Sequence, residues 1–231
     1  MTIRVGHKGA DLIAPGNTYA SFDAALEAGV DMIEFDVLQE RGSDRLLLAH
    51  DYEDAASRTP ATFEEALAFL TDERFDGIEF DVDLKLPGYE RPVVSALRGF
   101  GVLDRALIST QYGSSLAAIR SFEPSLRLGW TVPRLRRDPF RSRVGRPFAH
   151  AAAEFARRAL PARAAAAIRA GRCDALMAHW RLATARLVEA VRDAGGELYV
   201  WTVDDLATLR ALEALGVSGL ITNDPRLFAQ L

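Results

Sequence analysis

The chain has 231 residues, 49% of them apolar, and a formal net charge of −4 at pH 7. This length allows one large domain or two small ones, and the acidic balance shows no sign of a nucleic-acid partner. The only cysteine, Cys173, excludes an intrachain disulfide and is predicted to be a small buried side chain. The sequence shows neither a signal-peptide pattern nor the roughly 18 consecutive apolar residues of a membrane span, so we expect a cytoplasmic location.

Apolar runs rich in β-branched residues alternate with helix-like segments along the chain. Eight of these runs are predicted strands, at residues 3–7, 32–37, 78–85, 106–110, 126–131, 174–179, 197–203 and 219–222. Asn17-Thr18 and Thr62 are predicted helix caps, and further helices are expected at 182–194 and 204–215, each followed by glycine. This alternation predicts a single-domain (β/α)8 barrel, or TIM barrel, over residues 1–231. The alternative is a doubly wound open sheet, but no G-x-G-x-x-G follows the first predicted strand.

Two segments depart from this alternation. Residues 46–49 are predicted to form an extra short strand that leads to His50, and a short insertion follows near residues 51–61. Residues 134–172 form an arginine-rich excursion, predicted to be helical, with eleven arginines against two acidic residues. The excursion is either a solvated alanine-rich arm or a patch that contacts an anionic surface, such as a phospholipid membrane or a phosphorylated substrate.

Polar residues gather at the predicted C-terminal ends of the strands, where a (β/α)8 barrel places its active site. The candidate site residues are His7, Lys8, Glu34, Asp36, His50, Asp83, Lys85 and Trp201. Glu34 and Asp36 are two residues apart, so in a strand they point to the same side. Their apolar neighbours predict a buried strand, in which two carboxylates without a cation would be costly.

Three carboxylates, those of Glu34, Asp36 and Asp83, are therefore candidate ligands for one divalent cation. Oxygen ligands of this kind suit Mg²⁺ or Ca²⁺. Asp83 is preferred to Glu79 and Asp81, which share its strand face, because it is nearest to the predicted C-terminal end of the strand. If that face points into the barrel, Glu79 and Asp81 must be paired or hydrogen-bonded deeper inside.

The remaining candidates suit chemistry on a phosphate group. His7 and His50 are the candidate general acid and general base, since imidazole titrates near neutral pH. Lys8 and Lys85, the only lysines of the chain, would attract an anionic group such as phosphate. Trp201 is a candidate for stacking on the substrate, with packing in the core as the alternative.

These residues lie in motifs that resemble the glycerophosphodiester phosphodiesterase family. The matching stretches, in family order, are His7-Lys8-Gly9, Pro15-Gly16-Asn17-Thr18, Ile33-Glu34-Phe35-Asp36-Val37, His50-Asp51, Asp83-Leu84-Lys85, Trp201-Thr202-Val203 and Ile221-Thr222-Asn223-Asp224-Pro225. The resemblance implies a TIM barrel, a divalent metal ion, and hydrolysis of a glycerophosphodiester to glycerol 3-phosphate and an alcohol. It also implies that the two histidines are the acid–base pair, that the three carboxylates are the metal ligands, and that Lys85 contacts phosphate.

Four departures from the family pattern bear on the substrate. The family usually has arginine where Lys8 stands, and glutamate where Gly16 and Asp83 stand. Lysine keeps the positive charge but loses the bidentate grip of arginine on phosphate. The segment between His50 and Asp83 is also short, because only residues 52–60 remain of the family's substrate-covering insertion. This short segment predicts an open mouth that admits a bulkier diester, such as a lysophospholipid.

Two other functions remain open from the sequence. A glycoside hydrolase would use paired carboxylates in a barrel, but it would need neither the two histidines nor a metal ion. A barrel that binds a phosphodiester or lipid headgroup, with weakened catalysis, would fit the glycine at position 16 and the shorter Asp83. Within the phosphodiesterase hypothesis, attack by water and intramolecular attack that gives a cyclic phosphate are both open. Glycerophosphodiesters and lipid-linked diesters are both possible substrates.

Overall fold

The computed structural model describes residues 2–133 and 146–231, without the side chains of residues 146–153 and 156. The strands are β1 (Ile3–Gly6), β2 (Met32–Gln39), β3 (Leu46–Leu48), β4 (Glu79–Leu84), β5 (Ala106–Thr110), β6 (Arg127–Val132), β7 (Ala175–His179), β8 (Glu197–Trp201) and β9 (Gly219–Thr222). The helices are α1 (Tyr19–Glu27), α2 (Tyr52–Ser57), α3 (Phe63–Leu70), α4 (Glu90–Gly99), α5 (Gly113–Phe122), α6 (Arg146–Arg169), α7 (Ala185–Asp193) and α8 (Leu206–Leu215).

Eight parallel strands, all except β3, close into a (β/α)8 barrel. Closure comes from β1, which pairs in parallel with both β2 and β9. The C-terminal part of β2 extends past β1 and pairs in the antiparallel direction with β3, through contacts such as Val37 with Leu48. This extension carries His50, two residues beyond β3, to the C-terminal end of the barrel.

Successive side chains of β2 point alternately into the barrel and outward to the helices, and this alternation decides which of them reach the barrel interior. Phe35 points outward into the main core between strands and helices, where three other phenylalanine rings lie 5.7, 6.2 and 6.3 Å away. Met32 belongs to a second apolar cluster inside the barrel. Glu34 and Asp36 lie on the same side of the strand as Met32, so they face the interior, as the sequence predicts.

A charged cluster fills the N-terminal end of the barrel interior. The guanidinium of Arg127 donates to Glu79 Oε2 at 2.7 Å, to Glu197 Oε2 at 3.0 Å and to the Tyr199 hydroxyl at 3.1 Å. Glu79 is therefore paired with Arg127 at the N-terminal end of the barrel, where its side chain is 39% exposed. Asp81 is buried one layer above it, with an exposed fraction of 2%.

The predicted elements agree closely with the structure, and the doubly wound alternative is wrong. Each of the eight predicted strands and the extra strand is present, with ends that differ by at most two residues. Thr18 and Thr62 cap α1 and α3 through their side chains, as predicted. The helix expected at 182–194 begins later, because the Thr184 hydroxyl accepts the Leu187 amide and starts α7 at Ala185.

The arginine-rich excursion is described only in part, since residues 134–145 lie outside the described residues. Residues from Arg146 to Arg169 form α6, with Pro161 inside the helix. On this helix Arg157 Nε donates to the Arg181 carbonyl at 2.7 Å, and Arg158 Nε donates to Glu154 at 3.1 Å. Among the described residues, no helix combines the length and the apolar character that crossing a bilayer requires.

Candidate active site at the C-terminal end of the barrel

Three carboxylates converge where β2 and β4 reach the mouth of the barrel. One oxygen each from Glu34, Asp36 and Asp83 lies within 4.8 Å of the other two. The parallel ladder explains this closeness, because Asp36 and Asp83 are direct register partners on adjacent strands. Glu34 and Asp36 are almost completely buried, with exposed fractions of 4% and 0%. The three residues predicted as metal ligands therefore form one cluster.

Asp36 lies at the centre of this cluster. Its Oδ2 accepts the Asn17 side-chain amide at 2.8 Å, and its own backbone N–H donates to Asn17 Oδ1 at 3.0 Å. Lys8 Nζ lies 3.9 Å from Oδ2, and Lys85 Nζ contacts Oδ1. Burial opposes ionisation of Asp36, but Lys85 and Lys8 outweigh it and hold the pKa of this carboxyl below its usual range. Asp36 is thus an anion in a buried position.

A left-handed turn after β1 holds Glu34. Lys8 and Gly9 have φ values of +50° and +83°, and this turn directs the Lys8 amide to Glu34 Oε2 at 2.7 Å. A Cβ at position 9 would lie 2.6 Å from the backbone of Ser21, so only glycine fits there. Burial, and then the nearby Asp36 carboxylate, raise the pKa of Glu34 well above its usual range.

Lys85 joins the acidic cluster from the residue after β4. Its ammonium contacts Asp36 and lies 2.6 Å from Asp83 Oδ2. Burial by itself would lower the pKa of Lys85, but Asp36 and then Asp83 and Glu34 raise it well above its usual range. The lysine therefore balances one negative charge among three carboxylates.

The cluster fits a divalent cation. Asp36 Oδ1 is fully buried, and within the described part of the chain its direct partner is the Lys85 ammonium. A cation that binds this oxygen would displace or share that one ammonium contact. The three proposed ligands are all carboxylates, which suits Mg²⁺ or Ca²⁺ better than zinc.

One ring nitrogen of His7 is hydrogen-bonded to Asn223, and the other faces Glu34. Its Nδ1 lies 2.6 Å from Asn223 Oδ1, while Asn223 Nδ2 donates to Asp204 Oδ2 at 2.7 Å. Because Asp204 takes the amide N–H of Asn223, the amide oxygen faces His7 and must receive the Nδ1 proton. The lone pair of His7 then lies on Nε2, which points toward Glu34 at 3.8 Å. Burial, and then the Lys8 charge, lower the pKa of His7.

His50 is placed at the solvent side of the mouth. Its side chain is 52% exposed, and its Nδ1 lies 3.2 Å from Asp51 Oδ2. Its backbone N–H donates to Asp54 Oδ2 at 3.0 Å, and the Asp51 carboxylate caps the short helix α2 that follows. The helix cap thus fixes the backbone of His50 while the imidazole stays accessible.

The Trp201 ring packs against neighbouring strands of the barrel rather than standing free at the mouth. Its Nε1 donates to the Met177 carbonyl at 2.9 Å, and its ring meets His179 edge-on with centroids 5.3 Å apart. Trp201 is half-buried against the apolar cluster inside the barrel. Stacking of this ring on a substrate stays a prediction.

Three further residues support the site and were missing from the candidates. Asn17, expected only as part of a helix cap, holds Asp36, while Thr18 makes the cap. Asn223 and Asp204 orient the ring of His7. The available signal was their position, since each asparagine lies in a motif stretch within a loop that follows a strand, Asn17 after β1 and Asn223 directly after β9.

Comparison with protein families and curated proteins points to one family. The model of the glycerophosphoryl diester phosphodiesterase family matches residues 7–52 and 104–227. A glycerophosphodiester phosphodiesterase of Caldanaerobacter subterraneus subsp. tengcongensis is 24% identical over 262 residues, covering 100% of this chain and 97% of the relative. One from Bacillus altitudinis is 27% identical over 163 residues, which are 55% of this chain and 65% of the relative.

Solved structures with the same fold carry related names. The glycerophosphodiester phosphodiesterase of Agrobacterium tumefaciens strain C58 gives a TM-score of 0.71 at 20% identity, with 100% of both chains covered. A phosphodiesterase of Oleispira antarctica, in complex with the product sn-glycerol-3-phosphate, gives 0.74 at 17% identity, covering 100% of this chain and 96% of that one. At these identities the structural likeness shows the shared barrel fold.

Proposed function

The chain belongs to the glycerophosphoryl diester phosphodiesterase family, and on this premise we propose that it hydrolyses glycerophosphodiesters to glycerol 3-phosphate and an alcohol. We propose that the reaction uses one divalent cation and the histidine pair His7 and His50. The observation that supports this best is the convergence of three carboxylate oxygens within 4.8 Å. Beside them lie two lysine side chains and the open nitrogen of His7. Neither this cluster nor the family favours a glycoside hydrolase.

Glu34, Asp36 and Asp83 would hold the cation. When bound, it would polarise a phosphoryl oxygen and stabilise the negative charge that develops there. Lys8 and Lys85 would bind the remaining charge of the phosphate group, each as a point charge rather than a bidentate fork. The two lysines thus neutralise buried carboxylates before substrate arrives and bind its phosphate afterwards.

The two histidines would carry the protons. Asn223 keeps the Nδ1 proton of His7 in place, so Nε2 is the nitrogen that exchanges a proton with the substrate or the nucleophile. His50 lies at the solvent side of the mouth, where it can exchange a proton with whichever of the two groups, the nucleophile or the leaving alcohol, His7 does not serve. One imidazole would take the proton of the attacking hydroxyl or water, and the other would protonate the leaving alcohol.

The direct test is hydrolysis of glycerophosphocholine with Mg²⁺, with Ca²⁺ and with EDTA. We expect EDTA to lower the turnover by at least about 100-fold, because a metal ion supplies several kcal/mol of charge stabilisation. Addition of excess Mg²⁺ or Ca²⁺ should restore it. Full turnover in EDTA would contradict the metal dependence. Metal binding without turnover of any diester would favour the alternative function, a barrel that binds phosphodiesters.

Lipid-linked diesters are a second candidate class of substrate. The segment after β3 holds only the six-residue helix α2 before α3 begins. Leu12 and Ile13, in the loop after β1, expose 60% and 38% of their surface at the mouth. We propose that this open, partly apolar mouth accepts a lysophospholipid, and that the ratio of lysophosphatidylcholine to glycerophosphocholine turnover measures the preference.

We also propose that α6 supports peripheral contact with anionic membranes. Phe155 is 75% exposed on this helix, close to the arginines at 157 and 158. Each basic residue near an anionic bilayer is worth about 1 kcal/mol, so Arg158→Glu should weaken binding to phosphatidylglycerol vesicles at least about 5-fold. Arg192→Glu, at the distal end of α7 and similarly exposed, is the control in vesicle cosedimentation. Equal binding by both variants would remove this proposal.

The cytoplasmic location stays a prediction.

A further inference from the structure

The loop between β1 and α1 carries a carboxylate that the motifs did not single out. Asp11 Oδ1 accepts the backbone N–H of Gly16 at 2.9 Å, which fixes the side chain across the loop. Its other oxygen, Oδ2, lies 3.8 Å from Lys8 Nζ, and the side chain is 36% exposed. The same ammonium lies 3.9 Å from Asp36 Oδ2. Asp11 is therefore separated from the buried acidic cluster by a single lysine side chain.

Asp11 and a side chain at position 16 compete for the same space. A Cβ built on Gly16 would lie 2.5 Å from Asp11 Oδ1 and 2.9 Å from Lys8 Cβ. Real Cβ atoms do not approach other atoms this closely, so a residue larger than glycine at position 16 requires both the Asp11 side chain and the Lys8 Cβ to move. The carboxylate that the family pattern places at position 16 is absent here, and a carboxylate from position 11 occupies the adjoining volume.

We propose that Asp11 is a specificity-determining residue that accepts a hydrogen bond from the terminal hydroxyl of the glycerol group of the substrate. This inference rests on the proposed function. If the phosphate binds between Lys8, Lys85 and the carboxylate cluster, a carbon chain that leaves past Lys8 would reach Asp11 Oδ2, which accepts no hydrogen bond from the described residues. A carboxylate there accepts a hydrogen bond from a hydroxyl group and repels a second anionic group. The Lys8 ammonium beside it disfavours a cationic group at the same place.

The matched pair of substrates is glycerophosphocholine and 2-hydroxypropyl phosphocholine. The second compound lacks only the terminal hydroxyl, and it keeps the hydroxyl that an intramolecular attack would need. We expect the wild-type enzyme to prefer glycerophosphocholine in kcat/KM by at least about 10-fold, the usual size of a lost hydrogen bond to a charged group. Asp11→Ala should remove most of this preference by lowering kcat/KM for glycerophosphocholine alone.

A further variant separates substrate contact from loop structure. Asp11→Asn keeps an oxygen that can accept the Gly16 N–H, so the loop is held while the charge is lost, and we expect an intermediate preference. Asp23→Ala, at a partly buried aspartate of α1 that pairs with Arg74, is the control that should leave both rates unchanged.

The outcomes distinguish this inference from the proposed function. Equal losses on both substrates in Asp11→Ala would mean that Asp11 only supports Lys8 or the loop, and the specificity role would be wrong. Equal turnover of both substrates by the wild-type enzyme would also overturn it while leaving the phosphodiesterase function intact. A wild-type enzyme that hydrolyses neither compound, in Mg²⁺ or Ca²⁺, would remove the function and the inference together.

Discussion

Replacing His50 with alanine should abolish turnover and leave the fold unchanged. General acid–base catalysis contributes about 100- to 10,000-fold, so kcat on glycerophosphocholine should fall by at least about 100-fold. The side chain is 52% exposed, so the free energy of unfolding should change by no more than about 0.5 kcal/mol. Steady-state kinetics and denaturant unfolding measure the two quantities. Retained turnover in His50→Ala would overturn the acid–base assignment.

His7→Ala should be equally inactive but somewhat less stable. The variant loses the 2.6 Å hydrogen bond to Asn223, so we expect a loss of about 1 kcal/mol in unfolding free energy. A diester with a p-nitrophenyl leaving group then separates the roles, since this group departs without protonation. The histidine variant that regains turnover on it has lost the general acid, and the variant that stays inactive has lost the general base.

Asp36→Ala should remove both the metal ion and the activity, and it should also destabilise the metal-free protein. Asp36 is fully buried, and its loss leaves the ammonium of Lys85 with Asp83 as its one direct carboxylate contact among the described residues. Breaking a buried ion pair by removing one partner costs about 3 kcal/mol or more. Glu34→Ala should abolish metal binding and activity as well. Calorimetric titration with Ca²⁺ and Mg²⁺, with thermal unfolding of each apoprotein, measures these effects.

A second substitution tests the reason for that instability. Asp36→Ala combined with Lys85→Met removes the unpaired ammonium, so it should recover most of the lost stability while staying inactive and unable to bind metal. Asp44→Ala, which alters an exposed loop carboxylate, is the control and should change neither property. If the double variant were as unstable as Asp36→Ala, the charge of Lys85 would not be the cause.

Most of the fold could be predicted because its signals are local. The strand runs, the threonine caps and the glycines that follow helices each depend on neighbouring residues, and such positions were found to within a residue or two. The cluster of Glu34, Asp36 and Asp83 was predictable for a related reason. A parallel barrel brings the C-terminal ends of its strands together, so residues at those ends meet whatever their separation in the chain.

Other features of the site could not be predicted, because they depend on distances across the assembled barrel. Asn17 precedes a helix and looks like a capping residue, and only the folded loop brings it to Asp36. The clash between a side chain at Gly16 and the carboxylate of Asp11 is likewise a matter of contact geometry. Sequence spacing places Lys85 on the same strand side as Asp83, but it gives no sign that the Lys85 ammonium also contacts Asp36 on the neighbouring strand.

The hydrogen bond between His7 and Asn223 links residues 216 positions apart, so the catalytic role proposed for His7 would depend on the order of folding. Asn223 follows β9, so the ring of His7 gains its partner only when β9 pairs with β1. Contacts of such long sequence separation carry a large loop-closure cost and form late. During refolding, enzymatic activity should therefore return after most of the helical signal, and its rate should report the closure of the barrel.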